Sequence, residues 1–117
     1  MPLVEINDDD ELQEALRTSG HKLVVISFSS GNCGPCRLTT PCVEAMSQEM
    51  PDVLFIKVDV RKADEFVEKY EILGVPTFCF FRKNRLMYRF HGGNTDFLRS
   101  KVGELRFQME CGAVPNK

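Results

Sequence analysis

Two cysteines separated by two residues are the part of this sequence best suited to chemistry. Cys33-Gly34-Pro35-Cys36 follows an apolar run at residues 23–28. If the run is a strand and the motif opens a helix, Cys33 lies where unpaired backbone N–H groups and the helix dipole favour negative charge. Such a position can lower a cysteine pKa from about 8.5 to between about 3.5 and 7.5. Cys33 is then the nucleophile of thiol–disulfide exchange, and Cys36 attacks the mixed disulfide that results.

The same spacing is also half of a zinc site, so metal binding is the alternative. A structural zinc needs a second pair of ligands close together in the sequence. The remaining His and Cys residues are widely spaced: His21, Cys42, Cys79, His91 and Cys111. Pro35 fits the redox interpretation, because proline begins a helix with little loss of hydrogen bonding. Redox chemistry is therefore favoured, and no metal is expected.

Length and composition restrict the other function classes. The chain has 117 residues, 43% of them hydrophobic and 27% charged, with a net charge of −2. These values predict one globular domain and give no electrostatic reason to expect nucleic acid or an anionic membrane as a partner. Residues 1–7 lack the features of a signal peptide, and no apolar stretch approaches the about 18 residues of a membrane span. Because the five cysteines are not accompanied by a secretory signal, a cytoplasmic or nuclear location is expected.

Hydrophobic periodicity predicts strands alternating with helices. The predicted strands are residues 3–6, 22–29, 53–60, 77–81 and 86–90. The predicted helices are approximately residues 8–18, 33–50, 63–70 and 95–107. This order implies an α/β fold with a central mixed five-stranded sheet flanked by four helices. The domain is expected to span residues 1–108, followed by a mobile tail at residues 109–117.

The same patterns predict which side chains are buried. In the second helix Leu38, Cys42, Ala45 and Met46 are expected to face the core. Cys79 lies in the middle of a strand and is expected to be a small buried hydrophobe. The basic side chains of the predicted hairpin are expected to be solvated: Arg82, Lys83, Arg85 and Arg89.

Three separate motifs resemble those of the thioredoxin family. Cys33-Gly34-Pro35-Cys36 matches the active-site motif of that family. The segment 75–77 matches the segment that carries its cis-proline, and Gly92 matches the glycine that lines its substrate groove. The resemblance covers residues 1 to about 107. It implies the thioredoxin fold and a dithiol–disulfide oxidoreductase that reduces protein disulfides. It also implies that electrons come from NADPH through thioredoxin reductase, with no cofactor bound to the chain.

The groove residues also have purely structural explanations. Pro76, between Val75 and Thr77, could begin an edge strand, where proline is tolerated. The resemblance favours instead a cis peptide, which would point the Val75 backbone at an extended substrate chain. Gly92 and Gly93 suit a plain turn, and they equally suit the close approach of another backbone.

Two positions depart from the family pattern. Asn32 replaces the usual tryptophan, and Ser27 replaces a buried aspartate thought to accept the proton of the second cysteine. A hydroxyl is a poor base near neutral pH, although Lys57 or water could replace the carboxylate in part. Ser27 also spares the core a buried carboxylate. Asn32 either caps the following helix or makes the groove more polar.

These observations leave two functions open. The first is a protein-disulfide reductase in which Cys33 attacks and Cys36 resolves. The second is a weakly active or inactive module whose groove binds protein partners. The second function includes a disulfide-linked dimer, and a third, less favoured option is a regulatory dimer that is cross-linked by Cys111 or holds a metal cluster across subunits. For the reductase we expect a monomer, with Cys111 forming an intermolecular disulfide on oxidation.

Overall fold

The computed structural model describes residues 3–107. Within this range the strands are β1 (Val4–Glu5), β2 (Leu23–Ser29), β3 (Val53–Asp59), β4 (Thr77–Arg82) and β5 (Arg85–His91). The helices are α1 (Asp9–Thr18), α2 (Cys36–Glu49), α3 (Glu65–Lys69) and α4 (Thr95–Arg106). The predicted order of elements and the mixed sheet are confirmed. The predicted tail, residues 109–117, lies outside the described residues.

The sheet has the strand order β1-β3-β2-β4-β5. The β1–β3 and β2–β3 pairs are parallel, whereas the β2–β4 and β4–β5 pairs are antiparallel. Every residue of β2 is buried, as predicted for a strand covered on both faces. Because β2 and β3 are parallel, their carboxyl ends meet at one edge of the sheet, and this is where α/β proteins place their sites.

Each face of the sheet has its own apolar cluster. Side chains alternate between the faces along a strand, so Val24, Ile26 and Phe28 pack with residues of α1 and α3. Leu23 and Val25 pack with residues of α2 and α4 on the opposite face. By the same alternation, Ser27 and Ser29 of β2 lie on the α2 side of the sheet.

Local signals explain where several elements begin. The side chains of Asp8 and Asn94 cap α1 and α4 by accepting backbone N–H groups three residues later, at 2.8 and 2.9 Å. Both caps are residue types strongly preferred at helix N-termini. Lys83 and Asn84 join β4 to β5 with φ angles of 53° and 62°. Two consecutive positive φ angles are typical of the tight turn that matches the twist of a β-hairpin.

The prediction that the basic side chains of the hairpin are solvated is wrong for Arg82, which is buried. Its guanidinium donates to the carbonyl oxygens of His21 at 3.1 Å and Leu105 at 3.0 Å. Arg89 likewise donates to the Tyr70 carbonyl oxygen at 2.6 Å, at the end of α3. The last carbonyls of a helix have no partner within it, so these arginines are structural.

The predicted inner face of α2 is partly wrong. Leu38 is 65% exposed, whereas Met46 is buried as expected. The buried positions near the start of the helix are Cys36, Thr39 and Val43. Their spacing of three and four residues is that of one helix face, and the inward position of Cys36 determines which face that is.

Candidate active site

Cys33 and Cys36 lie at the carboxyl edge of β2, where the chain turns into α2. They are joined as a disulfide with their Cα atoms 5.2 Å apart. The helix begins at Cys36, so the predicted start at Cys33 is too early. The N–H of Cys36 points at the Sγ of Cys33 across 3.1 Å. When the pair is reduced, this N–H can stabilise a thiolate on Cys33.

The motif residues between and before the cysteines shape the approach to Cys33. Gly34 and Pro35 are exposed, and Pro35 occupies the N-cap position of α2 with a φ of −61°. Asn32 is exposed and lies four residues before the first residue of the helix. Among the described residues, no side chain caps α2. The capping interpretation of Asn32 is therefore wrong, because Pro35 holds the capping position and the Cys36 N–H is directed at sulfur.

A loop between α3 and β4 faces the Cys33 sulfur. The Val75–Pro76 peptide is cis, as predicted, and the Val75 carbonyl oxygen lies 3.5 Å from the Sγ of Cys33. The N–H of Gly92 donates to the Pro76 carbonyl oxygen at 3.0 Å, which ties β5 to the loop. The buried Thr77 donates its hydroxyl to a carbonyl three residues earlier, at 2.5 Å. Thr77 therefore holds the loop from inside.

Glycine is needed at two positions beside this loop. Gly92 has a φ of +116°, a backbone conformation that side chains disfavour. A Cβ on Gly93 would lie 3.0 Å from the Cβ of Pro35, closer than ordinary packing allows. The turn interpretation fits Gly92, and the group nearest to Gly93 is Pro35 of the same chain. The approach of a substrate backbone to these glycines stays a prediction.

A pocket of about 340 Å³, open to solvent, is lined by both thiols. The described residues that line it are Ser29, Ser30, Gly31, Cys33, Cys36, Arg37, Thr40, Pro41, Lys57 and Asp59. Lys57 and Asp59 come from β3, where they pair in register with Ser27 and Ser29. These four side chains therefore share the α2 side of the sheet. We call this space the inner cavity.

Asp59, Arg37 and Arg61 are residues that sequence reasoning did not single out. Asp59 accepts the backbone N–H of Arg61 at 3.0 Å, and its carboxylate lies 3.8 Å from the Arg61 guanidinium. That guanidinium also packs against Gly31, where an added Cβ would collide with it. The available signal was positional, because Asp59 ends a buried parallel strand at the edge where sites form.

The other thiols are less suited to exchange. Cys79 is buried as predicted, and burial raises its pKa to about 11. Cys42 is half-buried, and Cys111 lies outside the described residues. Within residues 3–107, no three His, Cys, Asp or Glu side chains are grouped as metal ligands would be. None of the helices in that range has the length and apolar character needed to cross a membrane.

Comparison with known proteins identifies the family. The family model described as thioredoxin matches residues 3–104. The chain is 36% identical to the thioredoxin of Homo sapiens over 101 aligned residues. The alignment covers 86% of this chain and 96% of the human protein. The chain belongs to the thioredoxin family.

Solved thioredoxin structures share the fold. The thioredoxin of Fasciola hepatica superposes with a TM-score of 0.83 at 34% identity, covering 86% of this chain and 97% of that one. The thioredoxin of Schistosoma mansoni gives a TM-score of 0.82 at 30% identity, covering 89% and 95%. The predicted thioredoxin fold is confirmed. With its cysteine pair at disulfide distance, this thioredoxin is a dithiol–disulfide oxidoreductase, as predicted, and thioredoxins act on disulfides of protein substrates.

Proposed function

We propose that this thioredoxin reduces protein disulfides with Cys33 as the attacking thiol and Cys36 as the resolving thiol. The observation that carries the assignment is the placement of the Cys33 sulfur between the Cys36 N–H at 3.1 Å and the Val75 carbonyl oxygen at 3.5 Å. The first contact favours a thiolate, and the second puts that thiolate beside exposed backbone. Cys36 is the more deeply buried of the two, at 3% exposure against 8%.

The loop at Val75 offers a substrate main chain something to pair with. An extended peptide can add to exposed backbone as a further strand, with specificity coming from neighbouring side chains. Leu73, beside the loop, is 98% exposed, and Asn32 supplies a polar group where the family usually has an aromatic one. We therefore expect this protein to prefer partners different from those of thioredoxins that carry tryptophan at that position.

The electrons for this reduction are proposed to come from NADPH through thioredoxin reductase, with no cofactor held by the chain itself. The support is membership of the thioredoxin family together with the intact cysteine pair. The odd number of cysteines, five, does not suit a complete disulfide framework and supports a reducing compartment, which we propose to be the cytoplasm or the nucleus. The working form is proposed to be a monomer.

A partner-binding module with little turnover is the second candidate function. The observation that favours it is the buried Ser27, which provides no carboxylate on the α2 side of β2. If nothing else accepts the proton of Cys36, resolution is slow, and partners stay attached to Cys33 as mixed disulfides.

Insulin reduction with NADPH and thioredoxin reductase separates the two candidates. The reductase function predicts continuous NADPH consumption with wild-type protein and none above background with Cys33→Ser. The binding-module function predicts one fast, stoichiometric step followed by little turnover. A wild-type protein that neither consumes NADPH nor forms a mixed disulfide contradicts both candidates.

A further inference from the structure

The resolving step requires the Cys36 thiol to lose its proton, because the thiolate is the attacking species. Cys36 lines the inner cavity, as does Cys33. Among the described residues that line this cavity, Asp59 is the only one with a carboxylate. We infer that Asp59 accepts the proton of Cys36 through water in the inner cavity. This inference rests on the proposed function, because it concerns the second step of that reaction.

The strand register places Asp59 at the correct end of the sheet. Asp59 pairs with Ser29, the last residue of β2, whereas Lys57 pairs with Ser27 one pleat further in. Asp59 therefore lies nearer than Lys57 to the edge where the motif and α2 begin. Its Oδ1 accepts the Arg61 N–H at 3.0 Å, which fixes the orientation of the carboxylate.

The inner cavity has the size and polarity that a water relay needs. A water molecule occupies about 30 Å³ of liquid volume, and a water held by protein makes two to four hydrogen bonds to polar groups. The cavity measures about 340 Å³, and its lining includes the hydroxyls of Ser29, Ser30 and Thr40. A proton can therefore pass between Cys36 and Asp59 without direct contact between the two side chains.

Cations face Asp59 from several elements. Lys57 lies on the same strand, Arg61 follows in the next loop, and Arg37 lines the cavity from α2. The neighbouring strand β2 contributes the neutral Ser29. Of these three, the Arg61 guanidinium lies 3.8 Å from the Asp59 carboxylate. Lys57 and Arg37 line the inner cavity together with Cys36, so their positive charge attracts the thiolate that resolution requires.

In the mixed disulfide, Cys33 is bonded to a substrate sulfur. Cys36 gives its proton through water to the Asp59 carboxylate, and the Cys36 thiolate forms a bond to the Cys33 sulfur. The bond between Cys33 and the substrate breaks, and the substrate thiolate leaves and takes up a proton. The cysteine pair is thereby oxidised by two electrons, and the substrate disulfide is reduced by two.

An aromatic disulfide that releases a coloured thiolate at each step tests this inference by stopped flow. Its first absorbance phase reports attack by Cys33, and its second phase reports resolution by Cys36. At pH 7, Asp59→Asn should keep the rate of the first phase within about twofold of the wild-type rate. It should slow the second phase about 100-fold, which is the lower end of the acceleration that a general base provides. The difference in second-phase rate between the wild type and Asp59→Asn should shrink as the pH rises towards about 8.5, where an ordinary thiol ionises without a base. Asp59→Glu should recover most of the second phase.

Asp64→Asn is the matched control, because Asp64 is an exposed carboxylate at the start of α3. It should change neither phase. An unchanged second phase in Asp59→Asn would overturn the inference. If that variant does not fold, the wild-type pH profile decides, since a tenfold rise in the second-phase rate per pH unit between pH 6 and 8 means that solvent removes the proton. Failure of the proposed function is distinguishable in the wild type, because its first phase would then be missing or its second phase slow, whereas failure of this inference alone leaves both phases fast in the wild type and in Asp59→Asn.

Discussion

The two sides of the thiol pair differ in whether main chain or side chains form the surface. In front of Cys33, the surface is backbone, made of the Val75 carbonyl, the cis peptide before Pro76 and a glycine turn. The inner cavity, which Cys36 lines together with Cys33, is formed mainly by side chains and includes Asp59. Backbone pairing depends little on the sequence of the partner, whereas proton transfer depends on individual residues. Substitutions near the motif can therefore alter the reaction rate while the groove keeps its shape.

Removing either sulfur gives the largest expected effect and separates the two sides most clearly. Cys33→Ser should reduce insulin reduction to background, because no nucleophile remains on the groove side. Cys36→Ser should still attack, and should accumulate as a mixed disulfide on Cys33 because nothing resolves it. Non-reducing electrophoresis and peptide mass mapping measure both outcomes. Turnover in Cys33→Ser above background would show that another thiol attacks.

Placing a carboxylate at residue 27 is expected to trade stability for rate. Ser27 is buried on the α2 side of the sheet, where desolvation raises the pKa of a carboxyl group and the neighbouring Lys57 offsets only part of that rise. Ser27→Asp should therefore lower the free energy of unfolding by about 3 kcal/mol at pH 7. When Ser27→Asp is combined with Asp59→Asn, resolution by Cys36 should accelerate strongly. In the wild-type background Ser27→Asp should accelerate it only slightly, because Asp59 already accepts the proton.

The pH dependence of this loss follows from the direction of the pKa shift. The folded state favours the protonated form of the carboxyl group introduced by Ser27→Asp. As the pH rises, the unfolded chain therefore loses this proton first, from a pH of about 3.9 upwards. Stability should fall across the window from that value to the raised folded pKa and then remain low. Urea unfolding at several pH values measures the loss. The uncharged control Ser27→Asn should show no added pH dependence, and an equal dependence in both variants would refute the explanation.

On the groove side, Gly92→Ala should have a smaller effect. Gly92 combines a φ of +116° with an N–H donated to the Pro76 carbonyl, so a side chain strains the backbone that holds the loop. The expected loss is about 1–3 kcal/mol, together with slower attack by Cys33 in the first stopped-flow phase. Gly74→Ala is the control, because its added Cβ meets open space. Equal losses in the two variants would argue against strain at Gly92.

Cys111→Ser should have the smallest effect, because Cys111 is expected to act only as a link between chains on oxidation. Mild oxidation of the wild type is expected to give a disulfide-linked dimer through Cys111, while Cys33 and Cys36 close within each chain. Disulfide formation needs Cα atoms about 4.4–6.8 Å apart, and the buried Cys79 cannot reach another molecule. Non-reducing electrophoresis should show no dimer band in Cys111→Ser and unchanged insulin reduction. A persistent band would assign the link to another cysteine.

Features set by local pattern were predictable from the sequence. The continuous apolar run of β2 predicted a strand covered on both faces, and the position of Cys79 within a strand predicted a buried thiol. The cis peptide before Pro76 followed from the resemblance alone, because proline at a strand start fits the sequence equally well.

Features set by tertiary structure were not predictable. Arg82 and its basic neighbours look alike in sequence, and only the position of α4 shows which guanidinium reaches a helix end. Which face of α2 is buried depends on the residue at which the turn through the motif ends. For this reason the sequence wrongly predicted that Leu38 faces the core. Asp59 comes close to the thiol pair only through the parallel register of β2 and β3.

Brief alkylation with iodoacetamide at neutral pH, followed by peptide mass mapping, tests most directly the claim that Cys33 is the attacking thiol. The reduced protein should be labelled first at Cys33, because its sulfur faces the groove beside Val75 and its thiolate is stabilised by the Cys36 N–H. Cys36 should react only later, since it is buried behind Cys33. Preferential labelling of Cys36 would contradict the assignment and reverse the roles of the two thiols.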